Sequence, residues 1–217
     1  NETASRLRGR IERVLDAAKA KGLRSGENPA RWRGHLNRLL SKRQKLQKGH
    51  HAALPYADMP AFVAGLRARE AVAARALEFA ILTIARSGEV LGATWNEIDL
   101  AKKIWTVPAG RMKAGREHRV PLSEAAIAVL KGMEPLRAAD DGASYVFPGQ
   151  RPKRPLSGMA MAMLLRRQKH EQKITVHGFR SSFRDWVGEE TSFASETAEA
   201  SMSHAVGDAT ERAYRRG

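Results

Sequence analysis

The sequence has 217 residues, 28% charged and 42% hydrophobic, a globular composition rather than a disordered or fibrous one. It contains no cysteine, which excludes a disulfide scaffold, a zinc–thiolate or iron–sulfur site and a thiol nucleophile. Lysine and arginine outnumber aspartate and glutamate by 38 to 23, and the resulting charge of +15 points to a polyanionic partner, nucleic acid before an anionic membrane.

The charge is concentrated at the start, where residues 1–50 hold 14 basic and four acidic residues, two thirds of the excess. In the first segment Leu7, Ile11, Val14, Leu15 and Ala18 fall at helical spacing with arginines on the other faces. Gly22 and Gly26 close that helix, and Asn28-Pro29 starts a short one with Trp32, Leu36, Leu39 and Leu40 on one face. Residues 42–55 are basic, lack apolar periodicity and end in proline, so they read as an interdomain linker. Residues 1–41 then read as the tail of a helical domain. The apolar positions here are too few, and too poor in tryptophan and phenylalanine, to favour a membrane-surface helix.

The domain from residue 56 onward opens with two expected helices, Met59 to Ala68 and Ala71 to Ile84, the second apolar on most faces. Arg86-Ser87-Gly88-Glu89 breaks the pattern before a short helix to Thr94. Ile98, Ile104, Trp105, Val107, Val120 and Leu122 lie in short β-type runs, which predicts a small antiparallel sheet whose last turn is Arg111 to Glu117. Ser123 caps the next helix, to about Gly132. Tyr145 to Phe147 reads as extended, and the rest as helices near 157–169, 177–190, 195–203 and 208–215. The fold class is mostly α with a small antiparallel β-sheet. No apolar run nears the roughly 18 residues that span a bilayer, and no basic-then-apolar leader opens the chain, so a cytoplasmic protein is expected.

Several residues could carry chemistry, though each alone has an ordinary explanation. His177 and Arg180 share a helix face at i and i+3. Arg86 ends an apolar helix, where it answers the helix dipole, and Glu89 follows three positions on. Lys113 sits in a hairpin turn, His204 opens a turn, and Tyr214 stands on a short helix. Asp140-Asp141 and Glu189-Glu190 read as solvated surface, His50-His51 has no partner at metal-ligand spacing, and His118 beside Arg119 reads as facing DNA or solvent. Metal nucleases need clustered carboxylates, and the acidic residues here are scattered.

In order, the segments ILTIARSGEVLGATWNEIDL, IWTVPAGRMKAGREHRVPLS, TVHGFRSSFRDW and SHAVGDATERAYRR resemble the tyrosine recombinase (phage integrase) family, and within it the integrases of genomic islands and P4-like phages. The resemblance runs over residues 55–217, and residues 1–50 look like the end of that family's core-site DNA-binding domain and its linker. It implies the tyrosine recombinase catalytic-domain fold and a site-specific recombinase that cuts and rejoins DNA through a 3′-phosphotyrosine, integrating or excising a mobile element. Arg86, Lys113, His177, Arg180 and His204 match the catalytic positions, Tyr214 the nucleophile, and Glu89 a supporting acid. Ser201 and Met202 depart from the usual pattern as packing changes. The chain stops three residues after Tyr214, where members continue with a segment that docks on a neighbouring subunit, so a truncated end is expected. With it, the Tyr214 segment is expected to be displaced without DNA while Arg86, Arg180 and His204 already cluster.

The resemblance further implies no cofactor, neither metal nor ATP, because the phosphotyrosine stores the bond energy. It implies double-stranded attachment-site DNA as partner, a homotetramer on synapsed DNA with a monomer otherwise, accessory bending and directionality proteins, no membrane, and a bacterial, nucleoid-associated location. The basic residues expected to contact DNA are Arg31, Arg33, Lys42, Arg43, Lys45, Lys48, Arg111, Arg116 and Arg119. Alternatives are a type IB topoisomerase-like relaxation, a non-catalytic DNA-binding module of the same fold, and a plain basic helical nucleic-acid binder.

Overall fold

The computed structural model describes residues 2–40, 52–138, 144–168 and 174–204. The chain forms two compact units, residues 1–48 and 49–217.

The first unit is built on α1 (Glu2–Ala20). Glu12 organises it, accepting from Arg8 at 2.5 Å and from the Trp32 backbone N–H at 3.0 Å. Asn28 is buried and donates to the Glu12 carbonyl and the Asp16 carboxylate. Residues 29–40 differ from the single short helix expected. Gly34 takes a left-handed φ of 74° and Arg33 is extended, so the expected helix is reduced to the short α2 (Asn37–Leu39). The bend keeps Trp32 under the Arg8 guanidinium, 5.4 Å from its centroid, and leaves Leu39 and Leu40 exposed rather than on a buried face.

The second unit is centred on α4 (Val72–Thr83), eight of whose twelve residues are buried, as its near-continuous apolar sequence requires. Around it pack α3 (Met59–Arg67), α6 (Glu124–Met133) and α7 (Ala160–Arg167). Ser123 caps α6 through the Ala126 N–H. Phe79 joins α4 to the sheet, with ring centroids 5.3 Å from Trp105 and 5.6 Å from Phe147. The sheet runs β1 (Ile98–Asp99), β2 (Ile104–Val107), β3 (His118–Pro121), antiparallel throughout. Its register sets Trp105 opposite Val120 and Val107 opposite His118, so those four share the core-side face. The remaining α-helices among the described residues are α5 (Ser87–Leu91), α8 (Gly178–Glu190) and α9 (Ser195–Ser201). The expected extended piece, Tyr145 to Phe147, makes one isolated bridge to Thr94 rather than a strand.

Residues 52–54, counted in the linker by sequence, belong to this unit. Leu54 packs on the core, and the Ala52 carbonyl accepts from Thr175 N at 3.1 Å. The backbone passes so near α8 that a Cβ on Gly178 would lie 2.2 Å from the Ala52 oxygen, which is why a glycine opens that helix. No helix among the described residues is long and apolar enough to cross a membrane.

One buried charge clamps α3 to α4. Glu78 is 1% exposed and accepts from Arg67 at 2.6 Å and Arg75 at 2.7 Å, while Arg75 also closes the end of α3 through the Leu66 carbonyl. Glu78→Ala leaves two arginines without their carboxylate and a hole in the core. Chemical denaturation is expected to show a loss of about 3 kcal/mol, and Glu78→Ala as stable as wild type would refute the clamp.

Candidate active site

The site forms where the ends of α4, α5, α8 and α9 meet the sheet. It begins with the way α4 stops. Ile84 takes φ 54° and ψ 18°, a left-handed conformation that costs a β-branched residue about 1–3 kcal/mol. The turn sends Ala85 into the core and Arg86 to the N-cap of α5. It also aims the Ile84 carbonyl at Arg180, whose Nη1 donates to it.

Arg86 and Glu89 hold each other. The Glu89 carboxylate accepts from the Arg86 backbone N–H at 2.8 Å and from its Nη1 at 2.8 Å, completing the N-terminal cap of α5. Arg86 Nη1 also donates to Ser203 Oγ at 2.6 Å. Glu89 is buried and Arg86 half-buried, so the acid fixes the guanidinium from behind and leaves part of it open.

Arg180 lies one turn into α8 and is buried. Its Nη2 donates to the Met202 carbonyl at 2.7 Å and lies 3.0 Å from His204 Nε2. Burial, and then the Arg86 charge, bring its pKa down to about 10, so it remains a cation at neutral pH. Ser203, at φ 50°, turns the chain sharply after α9 and sets its own hydroxyl on Arg86 and His204 beside Arg180. The expected clustering of Arg86, Arg180 and His204 is therefore present.

The other expected residues are distributed as follows. His177 occupies the N-cap position of α8, exposed, with its carbonyl accepting from Arg180 N at 3.1 Å. Lys113 and Arg116 are exposed in the β2–β3 turn, and Arg119 is exposed on β3. Arg33 is exposed, and Arg31 pairs with Glu27 at 2.9 Å. Arg111, read as a DNA contact, is committed elsewhere: it pairs with Glu97 and donates to the Glu89 carbonyl at 3.0 Å. Its Nη1 fills the place where a Cβ on Gly92 would sit, so it braces α5 from below instead of standing free. Tyr214, Lys42, Arg43, Lys45, Lys48, His50, His51, Asp140 and Asp141 lie outside the described residues.

Sequence reasoning missed three contributors. His118 does not project with Arg119. Successive strand residues face opposite sides, so His118 points with Val120 to the core-side face, half-buried, toward the Ser201 backbone. Burial holds its pKa below the usual histidine value, against the opposing pull of Glu89. The alternation His118, Val120, Leu122 carried that signal. Ser203 and Glu199 were the other two, and nothing in their spacing marks them apart from neighbouring polar residues.

The cluster presents two fixed guanidinium groups and an imidazole at one surface. That is a receptor for the oxygens of a tetrahedral anion, and guanidinium can fork onto two of them. No group of three or more histidine, aspartate or glutamate residues suited to a metal occurs among the described residues.

The chain is similar to known proteins. Residues 54–216 match the phage integrase family, and residues 1–35 match the phage integrase central domain. Prophage integrase IntA of Escherichia coli K12 is 36% identical over 63% of this chain and 32% of its own length. The integrase of Enterobacteria phage P4 is 31% identical over 76% of this chain and 41% of its own. The chain thus spans less than half the length of these two relatives. Among solved structures, the Tn1549 transposon integrase with a circular intermediate DNA superposes with a TM-score of 0.62 at 14% identity, over 94% of this chain and 72% of that one. A lambda integrase tetramer bound to a Holliday junction gives 0.59 at 17%, over 91% and 57%. The likeness to both shows a shared fold, and the family match over residues 54–216 places this chain in the phage integrase family of tyrosine recombinases.

Proposed function

We propose that the protein is a site-specific DNA recombinase that cleaves and rejoins DNA through a 3′-phosphotyrosine, and that Arg86, Arg180 and His204 bind the scissile phosphate. The observation that carries this reading is the pre-assembled cluster itself: two guanidinium groups and an imidazole from three separate segments, fixed by Glu89, Ser203 and two backbone carbonyls. Such rigidity favours a state that gains negative charge, because no reorganisation is needed as the charge develops.

In the proposed reaction the Tyr214 oxygen bonds to phosphorus as the P–O5′ bond breaks. Tyr214 gives up its proton, with His177 as the candidate acceptor, and Lys113 protonates the departing 5′-oxygen. Lys113 suits this because it stands exposed on the hairpin that also carries His118. Glu89 fixes Arg86 and does not touch the substrate. Exposed Arg33, Arg116 and Arg119, the half-exposed Arg31, and the basic residues 42–48 supply phosphate contacts along the duplex. The solved relatives named above hold a circular-intermediate DNA and a Holliday junction, the latter as a tetramer, and this supports the same DNA partner and a tetramer on synapsed sites here. Accessory DNA-bending and directionality proteins, and a cytoplasmic place at the bacterial nucleoid, complete the proposal.

The test is a nicked suicide substrate carrying the attachment site, resolved on a denaturing gel. A protein–DNA adduct is expected, at the same yield with and without EDTA. No adduct on any attachment site of the element would overturn the reading, and loss of the adduct in EDTA would revive a metal mechanism.

A further inference from the structure

We propose that Glu199 is a positioning residue of the cleavage reaction: it sets the tautomer of His204 and makes DNA binding take up one proton at that ring. The inference rests on the recombinase reading above. Glu199 lies in the last turn of α9, five residues before His204. Its Oε2 is 2.6 Å from His204 Nδ1, and its backbone carbonyl accepts from His204 N at 2.9 Å. Its Oε1 accepts from Arg184 Nε at 2.9 Å, and Arg184 Nη2 donates to Ser195 Oγ at 2.7 Å. The carboxylate is thus pinned from α8 and pins the ring in turn.

The protonation state follows from which groups can donate. A carboxylate only accepts, so Nδ1 carries a proton. A guanidinium only donates, so Nε2, 3.0 Å from Arg180 Nη2, offers its lone pair. These two contacts are those of an Nδ1–H tautomer. That state is unsuited to a phosphate, whose oxygens also only accept. For a phosphate oxygen to lie between Arg180 and His204, Nε2 must gain a proton from solvent. Arg180 Nη2 then shifts its hydrogen bond from Nε2 to that oxygen. The imidazolium so formed donates from both nitrogens, one to the phosphate and one to Glu199.

The charges around the turn decide whether the second proton is held. Arg180 and Arg184 from α8 and Arg86 from α5 oppose it. Glu89 faces Arg86, and His118 from β3 reaches Ser201. Among these groups Glu199 is the carboxylate in direct contact with the ring. The hydrogen bond from His204, and then that from Arg184, hold the Glu199 pKa below the usual carboxylate range, so it stays ionised through neutral pH. The phosphate supplies the other negative charge.

The experiment uses the intact protein with Glu199→Gln, which keeps the side chain's size and an acceptor oxygen but removes the charge. The ring titration of His204 is followed by NMR without DNA, and single-turnover adduct formation is measured from pH 5 to pH 9. The imidazolium is lost as pH rises through its midpoint, so a lower midpoint moves that loss to lower pH. Glu199→Gln is expected to move the alkaline limb of cleavage to lower pH, and the NMR midpoint with it. At the acid plateau the rate should stay within about threefold of wild type. Glu199→Asp should restore the limb in part. In a His204→Gln background, Glu199→Gln should cost nothing further. A loss equal at every pH, or one that persists in the His204→Gln background, would mean that Glu199 only holds α9 and overturns the proposal. A shifted NMR midpoint with no adduct even from wild type would instead sink the recombinase reading and leave the Glu199–His204 pairing in place.

Discussion

Arg180→Lys is expected to slow covalent adduct formation by about 10²-fold or more while DNA affinity changes only a few-fold. The figure is that of losing one preorganised donor to a developing charge. The structure says why lysine fails although it keeps the charge. Arg180 reaches three acceptors at once, the carbonyls of Ile84 and Met202 and the Nε2 of His204. A single ammonium on a flexible stem cannot span α4, the α9 turn and a phosphate together. The substitution also frees the Ile84 carbonyl from its buried partner, and with it the reason for the left-handed turn. Arg86→Lys should behave alike but more mildly in the fold, since Arg86 is only half-buried and answers to Glu89 and Ser203. Single-turnover rates on a suicide substrate, with binding measured separately, check both. A wild-type rate in Arg180→Lys would remove the forked contact from the mechanism.

Much of this centre was legible in the chain because its parts stand at fixed offsets in well-formed elements. The apolar run that makes α4 also puts Arg86 just past its end, and the three-residue step to Glu89 is a capping distance. The step from His177 to Arg180 starts a helix and turns the arginine inward. What was not legible depends on backbone groups or on the pleat. The carbonyls of Ile84 and Met202 grip Arg180 only because Ile84 and Ser203 take left-handed conformations, and neither residue type announces one. Arg111 looked like its basic neighbours in the hairpin, yet the short helical turn Ala109–Arg111 folds it back onto Glu97. In the first unit, spacing predicted a helix through Trp32 and Leu40, and one glycine with positive φ overrode it.

Tyr214→Phe should abolish the covalent adduct altogether and leave folding and DNA binding intact, because the change removes one oxygen and nothing else. A tyrosine hydroxyl has a free pKa of about 10, so attack needs both a proton acceptor and a cationic surround. In the proposed reaction Arg86, Arg180 and His204 furnish that surround. The other two tyrosines do not have it. The Tyr56 hydroxyl faces the carboxylates of Glu189 and Glu190, each 2.9 Å away, and their hydrogen bonds push its pKa above the usual tyrosine value, the opposite of activation. Tyr145 is bridged to Thr94 at the sheet end of the unit. Loss of the adduct in Tyr214→Phe, with retention in Tyr56→Phe and Tyr145→Phe, is therefore expected on a denaturing gel, alongside unchanged gel shifts. An adduct that survives in Tyr214→Phe would place the nucleophile on one of those two, and the cationic cluster would then lose its part in activating the attack.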